Sequence, residues 1–378
     1  MSITENRVKS FSELTREPRI LLGPGPSLVH PRVLQAMSSP LVGHLDPYFL
    51  EIMDRIQEML RYIFETNNRL TVPISGTGSA AMETAVANMV EQGDKVLVFI
   101  SGYFGHRLAD MAKRYGGKVQ VVECPWGEAF SSETVEKAMK EYQPRVVGIV
   151  HAETSTGVLQ PLEEIAAIVH KYNAILIVDA VTSLGGVSVG VDRLGLDVCY
   201  SGTQKCLASP PGLGPITFGE RAEEKLRNRK LPVTSWYLDM SLMQKYWGND
   251  RTYHHTAPIS ANFALYESLR MIVEEGLENR WVRHLKNAEF LWNGLEEIGL
   301  KPLVDRKYRL PSLTTVSVPE GVDEKHVRDQ LLLDYNIEIA GGLGVLSGKV
   351  WRIGLMGYSS SKPNVTLLLA ALNKIVNR

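Results

Sequence analysis

Short apolar runs, often β-branched, alternate with amphipathic stretches through the first two thirds of the chain. Seven of these runs are predicted as strands, and several are apolar throughout, which is typical of strands buried on both faces of a sheet. They cover residues 70–74, 95–100, 118–123, 145–151, 174–179, 198–201 and 214–218. Helical patterns follow the first four runs, at residues 78–90, 105–114, 132–141 and 162–172. This alternation predicts an α/β fold with a largely parallel sheet covered on both faces.

After about residue 260 the pattern changes. Two long helices, three short strands and a final helix are predicted, at residues 262–276, 279–298, 313–318, 337–340, 350–355 and 362–377. A chain of 378 residues is long enough for one large and one small domain. We therefore expect an N-terminal segment (1–20), a large domain (21–260) and a smaller α+β domain (261–378).

Composition and charge exclude several classes of protein. The 41 Lys and Arg residues nearly balance the 42 Asp and Glu residues, so there is no general electrostatic attraction to nucleic acid or an anionic membrane. The three cysteines lack CxxC spacing, which excludes a disulfide framework and favours a reducing compartment. No apolar stretch approaches the roughly 18 residues of a membrane helix. We expect a cytoplasmic protein.

The segment SGTGSAA at residues 75–81 follows a predicted strand and opens a predicted helix. It matches the G-x-G-x-x-A pattern of dinucleotide sites, but those sites need an acidic residue at the end of the next strand. That strand is followed by Ser101 and Gly102 instead. A nicotinamide-dependent dehydrogenase therefore remains only as an alternative. Backbone N–H groups at a helix N-terminus also bind a phosphate, and a plain glycine turn is compatible with that function.

Two further residues indicate which kind of phosphate-containing ligand would bind there. Asp179 ends an apolar strand, and Lys205 follows another strand among small residues. Taken alone, Asp179 is a helix cap and Lys205 a surface lysine. Together with the phosphate segment they form the pattern of a pyridoxal-phosphate site, because the aldehyde needs an amine and the pyridine nitrogen needs a carboxylate. The spacing makes this cofactor a hypothesis.

Seven segments strongly resemble, in order, those of the alanine–glyoxylate and serine–pyruvate aminotransferases, which are class V members of the fold-type I pyridoxal-phosphate enzymes. They are LLGPGPS (21–27), ISGTG (74–78), HAETSTG (151–157), VDAVTSLGG (178–186), SGTQK (201–205), YHHT (253–256) and RIGL (352–355). The resemblance extends from about residue 20 to the end. It implies a large domain with a mostly parallel seven-stranded sheet and a smaller C-terminal α+β domain.

The resemblance also implies roles for individual residues. Lys205 matches the lysine that binds the cofactor aldehyde and then moves a proton between the substrate Cα and the cofactor C4′. Asp179 matches the carboxylate beneath the pyridine nitrogen. Phe104 stands where many relatives have a tryptophan that stacks on the ring, and Thr154 matches a hydroxyl that donates to the phenolic oxygen.

The cofactor phosphate and the substrate take a second set of residues. Phosphate contacts are implied for Thr77, Gly78, Ser79 and Gln204 of the same chain and for Tyr253 and Thr256 of the other subunit. Each site would then be shared within an obligatory homodimer. Arg352 matches the arginine that binds the substrate carboxylate, and Gly25 matches a backbone segment on the substrate side. No metal is implied.

The implied activity is a pyridoxal-phosphate-dependent transamination from alanine or serine to glyoxylate or pyruvate. It is a ping-pong reaction through pyridoxamine phosphate. A phosphonate or ureide transaminase on the same scaffold is the nearest alternative, and a cofactor-free binding protein remains another. A desulfurase-type lyase is disfavoured because no cysteine lies on an evident long loop. His151 and Glu153 spell the H-x-E of zinc deaminases, but no P-C-x-x-C follows.

Overall fold

The computed structural model describes residue 14 and residues 18–377. The strands are β1 (Ile20–Leu21), β2 (Leu70–Ser75), β3 (Lys95–Ile100), β4 (Lys118–Glu123), β5 (Val146–Val150), β6 (Ala152–Glu153), β7 (Val158–Leu159), β8 (Ile175–Asp179), β9 (Val198–Tyr200), β10 (Leu213–Phe218), β11 (Leu313–Ser317), β12 (Ile337–Glu338), β13 (Ala340–Gly341) and β14 (Val350–Gly354). The helices are α1 (Pro31–Met37), α2 (Pro47–Phe64), α3 (Gly78–Met89), α4 (Tyr103–Arg114), α5 (Ser132–Tyr142), α6 (Glu163–Lys171), α7 (Val191–Leu194), α8 (Glu220–Arg227), α9 (Met240–Trp247), α10 (Ile259–Glu275), α11 (Leu277–Glu297), α12 (Glu324–Tyr335) and α13 (Lys362–Val376). Within these residues, no helix combines the length and apolarity needed to cross a membrane.

The seven runs predicted as strands form one seven-stranded sheet in the order β2-β10-β9-β8-β5-β3-β4. Six strands run in the same direction, and β10 runs against both of its neighbours. The predicted mostly parallel α/β sheet is therefore confirmed. Strands β5, β8, β9 and β10 are buried at every residue, which is the reason that their sequences are apolar throughout.

The carboxyl ends of several strands meet at one edge of this sheet. Asp179 at the end of β8 pairs in register with Val150 at the end of β5 and with Tyr200 at the end of β9. Ser75 at the end of β2 pairs with Leu213 at the start of the antiparallel β10. In open α/β sheets, ligands bind outside these carboxyl ends. The motifs around residues 75, 179 and 205 are therefore brought to the same edge.

Helix α2 was not predicted, although its signals are present in the sequence. Asp46 caps its N-terminus by accepting a hydrogen bond from the Tyr48 backbone, and Pro47 occupies the first helical position. Its buried apolar residues recur at intervals of three and four, as an amphipathic helix requires. They are Phe49, Ile52, Met53, Ile56, Leu60, Ile63 and Phe64.

A second hydrophobic core contains α12, α13 and the antiparallel sheet β11-β14-β13. The single strand predicted at 337–340 is wrong, because β12 pairs in parallel with β1 while β13 pairs with β14. The start of the chain therefore lies against its C-terminal part, and the Gly354 backbone N–H donates to the Leu22 carbonyl at 2.7 Å. The domain limits 21–260 and 261–378 stay a prediction. Most of the segment 1–20 lies outside the described residues.

Two leucines on α12 offer a test of this second core. Leu331 is fully buried, whereas Leu333 is 77% exposed on the same helix. Leu331→Ala removes buried methyl groups and leaves a cavity, so it should lower the free energy of unfolding by about 2–5 kcal/mol. Leu333→Ala should change it by about 0.5 kcal/mol or less. Urea denaturation of the two variants measures both values, and equal losses would contradict the described packing.

Candidate active site

Close packing of small residues brings the three sequence motifs together. A Cβ atom at Gly78 would lie 3.3 Å from Val181 Cγ2 and 3.5 Å from Gly202 Cα. The first residue of α3 therefore lies against the loop that follows Asp179 and against the loop that carries Lys205. A larger residue at position 78 would separate the helix N-terminus from both loops.

Asp179 is buried at the end of β8 and is held by two neutral donors. Its Oδ1 atom accepts from the Val181 backbone N–H at 2.9 Å, and its Oδ2 atom accepts from the Tyr200 hydroxyl at 3.0 Å. Burial raises the pKa of Asp179 to about 6, against the opposing effect of these hydrogen bonds. Among the described residues no cation forms an ion pair with it within 4.0 Å. The carboxylate is oriented, yet its charge is not balanced by a direct partner.

Lys205 is also buried, and its Nζ atom donates to the Pro24 carbonyl. Gly25 has a φ of +108°, and a Cβ atom there would lie 2.9 Å from Lys205 Nζ, so only glycine lets this backbone approach the amine so closely. Burial, followed by the charge of Arg352, lowers the pKa of Lys205 to about 8. A useful fraction of neutral, nucleophilic amine is therefore present near neutral pH.

Phe104 lies in the first turn of α4, and a buried carboxylate fixes its backbone. Glu153 accepts from the Phe104 N–H at 3.2 Å and from the Ser155 N–H and hydroxyl at 3.0 and 2.6 Å. Burial raises the pKa of Glu153 to about 7. The sequence analysis missed Glu153 and Tyr200 as site residues. Glu153 was considered only as part of a zinc pattern, and no sequence signal shows which backbone groups it accepts from.

Arg352 on β14 is oriented by carbonyl groups rather than by a carboxylate. Its Nε atom donates to the Gly341 carbonyl at 2.7 Å, and its Nη1 atom donates to the Thr154 carbonyl at 3.3 Å. No ion pair within 4.0 Å involves Arg352 in the part of the chain that the structure describes. Burial lowers the pKa of Arg352 to about 10, although the charge of Glu153 raises it. The alternative of a structural arginine paired with a carboxylate is not what this geometry shows.

The predicted phosphate residues lie at the N-terminus of α3. Thr77 is the N-cap residue but makes no capping hydrogen bond through its side chain, so the first backbone N–H groups of the helix need another acceptor. The buried Oε1 atom of Gln204 has no hydrogen-bond partner within the described residues. The Ser79 hydroxyl accepts from Arg107 Nη1 at 2.9 Å. The site thus contains backbone N–H groups and polar side chains that are not fully hydrogen-bonded.

Thr154 is placed differently from Tyr253 and Thr256. Thr154 is buried, and its hydroxyl is hydrogen-bonded to that of Thr182. Tyr253 and Thr256 are exposed and contact each other at 3.4 Å between their hydroxyl oxygens. Within the described chain neither makes a side-chain hydrogen bond to a residue of the Lys205 site. The structure of one chain therefore does not bring these two predicted phosphate contacts to that site.

The residues present fit pyridoxal phosphate. The N-terminus of α3 offers N–H groups to a phosphate, Asp179 offers a carboxylate to the pyridine nitrogen, and Lys205 offers an amine to the aldehyde. A 180° rotation of the Gln204 amide would replace its unpartnered Oε1 atom with the NH₂ group, which would donate to a phosphate. No group of three or more His, Cys, Asp and Glu side chains in the described residues is placed to bind a metal.

Comparison with known proteins decides the family. The family described as Aminotransferase class-V matches residues 20–363. The chain belongs to the class V aminotransferases. The rat alanine–glyoxylate aminotransferase is 43% identical to it over 94% of this chain and 87% of that relative. The (S)-ureidoglycine–glyoxylate transaminase of Bacillus subtilis is 41% identical over 97% and 92%. A crystal structure of alanine–glyoxylate aminotransferase from Nostoc sp. superposes with a TM-score of 0.98, with 53% identity over 100% of both chains.

The resemblance seen in the sequence is thereby confirmed, as is the fold of the pyridoxal-phosphate-dependent transaminases. The cysteines of this class V aminotransferase lack the character of a catalytic thiol. All three are free; Cys199 and Cys206 are buried. Burial raises the pKa of the partly exposed Cys124 to about 11. None of these thiols is poised as a thiolate, which a desulfurase requires.

The lowered pKa of Lys205 predicts how the protein captures its cofactor. A pKa of about 8 leaves about a tenth of the amine neutral at pH 7, against about one part in three thousand for an ordinary lysine. The rate at which apoprotein binds pyridoxal phosphate should rise with pH and level off above about 8. Stopped-flow absorbance measures this rate, and N-acetyl-lysine amide serves as the control that corrects for titration of the cofactor itself. A corrected rate still rising steeply above pH 9 would contradict the assignment.

Proposed function

We propose that this class V aminotransferase transfers an amino group from alanine or serine to glyoxylate or pyruvate, with pyridoxal phosphate as cofactor. The proposal rests above all on Arg352, a buried guanidinium that is held by two carbonyls and lacks a carboxylate partner among the described residues. A 2-amino acid and a 2-oxo acid share one carboxylate, and a fixed guanidinium binds either in the same way. The rat and Nostoc relatives support glyoxylate as the acceptor.

Pyridoxal phosphate, when bound, supplies a ring that accepts the electron pair released when the substrate Cα loses its proton. The residues of this chain supply the rest. Asp179 keeps the pyridine nitrogen protonated, and its bond to Tyr200 fixes the carboxylate in position. Lys205, when its Nζ atom is free, would remove the proton from the substrate Cα as a general base and would deliver it to the cofactor C4′ as a general acid. Phe104 would pack on the ring, and the Thr154 hydroxyl would donate to the phenolic oxygen.

The approach of residues 24 and 25 to Lys205 favours small substrates. The Pro24 carbonyl accepts from the amine, and the Gly25 backbone packs against the lysine side chain. This close backbone is proposed to limit the space that a substrate side chain can occupy. Ser27 holds this segment in place, because its backbone N–H donates to the Gln204 carbonyl at 2.9 Å and its hydroxyl donates to the Lys205 carbonyl at 2.8 Å.

A ureide substrate is the second candidate. The relative from Bacillus subtilis is a ureidoglycine–glyoxylate transaminase and is about as similar to this chain as the rat enzyme. Ureidoglycine presents the same carboxylate and amino group as alanine but ends in a polar ureido group. The two candidates thus share Arg352, Lys205 and Asp179, and they differ in what the side-chain pocket must bind.

We also propose a cytoplasmic homodimer in which each site takes Tyr253 and Thr256 from the partner. Three observations support it. Tyr253 and Trp236 are 56% and 61% exposed, and Trp236 stacks on His254, so together they offer an aromatic surface that a partner would cover. The segment 253–256 lies on the surface beside the end of its own β2, where His255 Nε2 is 2.6 Å from Ser75 Oγ, so a partner that packs on this edge would bring the segment near a second site. All three cysteines are free, which suits a reducing compartment.

The substrate is tested by half-reactions. Holoenzyme is mixed with alanine, serine, (S)-ureidoglycine or glutamate, and loss of the visible cofactor absorbance is followed. Alanine or serine should convert the cofactor fastest, and glutamate should be slower by about tenfold or more because its side chain is larger. Glyoxylate or pyruvate should then restore the absorbance. Conversion by ureidoglycine much faster than by alanine would replace the proposal with the ureide candidate.

Arg352→Lys keeps the charge but loses the two-pronged geometry, so it should raise KM for the amino acid and the oxo acid by about tenfold or more each. Cofactor absorbance and thermal stability should stay near wild type. Lys349→Ala, on the exposed start of the same segment, is the matched control and should leave both KM values unchanged. Lost stability with KM unchanged in the folded fraction would show that Arg352 is structural.

Sharing of the site is tested by mixing two inactive variants. One carries Lys205→Ala, and the other carries Tyr253→Phe with Thr256→Ala. Subunit exchange would give a mixed dimer in which one site has both defects and the other has none, so activity should return. If each site were built from one chain, every site in the mixed dimer would carry one defect. Proven exchange without regained activity would therefore refute the shared site.

A further inference from the structure

The side chain of Arg107 connects the aromatic residue of the site to the N-terminus of α3. It extends from α4, one turn after Phe104, and its guanidinium carbon lies 4.9 Å from the centre of the Phe104 ring. Its Nη1 atom donates to the Ser79 hydroxyl at 2.9 Å. The side chain is half-buried. None of the sequence motifs pointed to it, because residue 107 lies outside every segment that resembles the family.

This position is electrostatically unfavourable for a cation in the free protein. The N-terminus of a helix carries a partial positive charge and attracts anions, so a guanidinium next to Ser79 faces a like charge. No carboxylate lies within 4.0 Å of the Arg107 guanidinium in the described chain. The neighbouring acids are already engaged, since Glu83 accepts from the Tyr115 hydroxyl and Asp110 binds Arg114.

The hydrogen bond to Ser79 has a directional consequence. Because the Ser79 oxygen accepts from Arg107, the hydroxyl proton is free to be donated elsewhere. The guanidinium also keeps further N–H groups that have no protein acceptor among the described residues. Donors from two side chains therefore converge beside the first backbone N–H groups of α3. A phosphate dianion satisfies all of these donors at once and balances the charge.

We propose that Arg107 is a direct ligand of the cofactor phosphate and acts together with the Ser79 hydroxyl. The inference rests on the proposed pyridoxal-phosphate function and adds to it the cation that balances the phosphate within the same chain. Thr77, Gly78 and Gln204 are neutral, and no other Lys or Arg side chain hydrogen-bonds to residues 75–79 within the described residues. Arg107 is thus the cationic part of the phosphate site.

The competing explanation is that Arg107 only supports Phe104 through a cation–π contact. The two explanations differ in which part of the cofactor they affect. A phosphate ligand matters for pyridoxal phosphate and not for pyridoxal, which has the same ring and aldehyde. A support for the ring matters equally for both compounds.

The experiment measures equilibrium binding of pyridoxal phosphate and of pyridoxal to apoprotein by tryptophan fluorescence. The variants are Arg107→Gln, Arg107→Lys and the control Arg114→Gln, which alters an exposed arginine on the same helix. Arg107→Gln should raise Kd for pyridoxal phosphate by at least about tenfold, the value of a lost charge-assisted hydrogen bond. Its Kd for pyridoxal should stay within about twofold of wild type, and that binding also shows that the variant is folded. The Kd of Arg107→Lys for pyridoxal phosphate should lie between those of wild type and Arg107→Gln, and Arg114→Gln should match wild type.

Inorganic phosphate provides a second measurement. It should compete with pyridoxal phosphate for wild-type apoprotein and compete much less for Arg107→Gln. An equal loss of affinity for both aldehydes, or no loss for either, would overturn the inference while leaving the proposed function intact. Failure of the proposed function looks different, because wild-type protein would then bind neither compound and would show no visible absorbance with pyridoxal phosphate.

Discussion

The candidate site depends on charged groups that are buried without opposite charges beside them. Burial raises the pKa of Asp179 and Glu153 and lowers the pKa of Lys205 and Arg352, so each of the four is shifted towards its neutral form. Such groups destabilise a free protein. They are tolerated because the surrounding packing fixes them and because a cofactor and a substrate bring the complementary charges. Binding of a cofactor and a substrate with complementary charges would offset this cost, and the gain would contribute to their binding free energy.

Local signals were sufficient for the central sheet and much of the site. The central strands were predictable because they are buried on both faces, which produces continuous apolar runs. The edge strand β4 is largely exposed, and its alternating valines made it predictable instead. Asp179 and Lys205 were predictable because Asp179 ends one of the continuous apolar runs and Lys205 lies in the short loop after another, so the strand ends bring both to the edge of the sheet. Helix α2 was equally predictable from its Asp46 cap and its apolar stripe, although it was not predicted.

Other features depend on contacts between distant parts of the chain. Residues 337–341 form an unbroken extended segment in the sequence, but β12 and β13 have different partners, one of them near the start of the chain. Glu153 acquires its role from the backbone of Phe104, 49 residues away. Tyr253 and Thr256 make no side-chain hydrogen bond to the Lys205 site within the described chain, and their proposed role lies in the site of a partner subunit. The periodicity of apolar residues indicates which residues are buried, but it does not indicate which residues contact one another in the interior.

The residues between β1 and Ser27 form a short connecting segment between the two hydrophobic cores. At one end β1 pairs with β12, and the Leu22 carbonyl accepts from Gly354, the last residue of the strand that carries Arg352. At the other end Ser27 is bonded to the loop of Lys205. The Pro24 carbonyl, which accepts from the lysine amine, lies midway. A displacement of the C-terminal sheet would therefore be transmitted through a few peptide units to the carbonyl that accepts from the lysine amine.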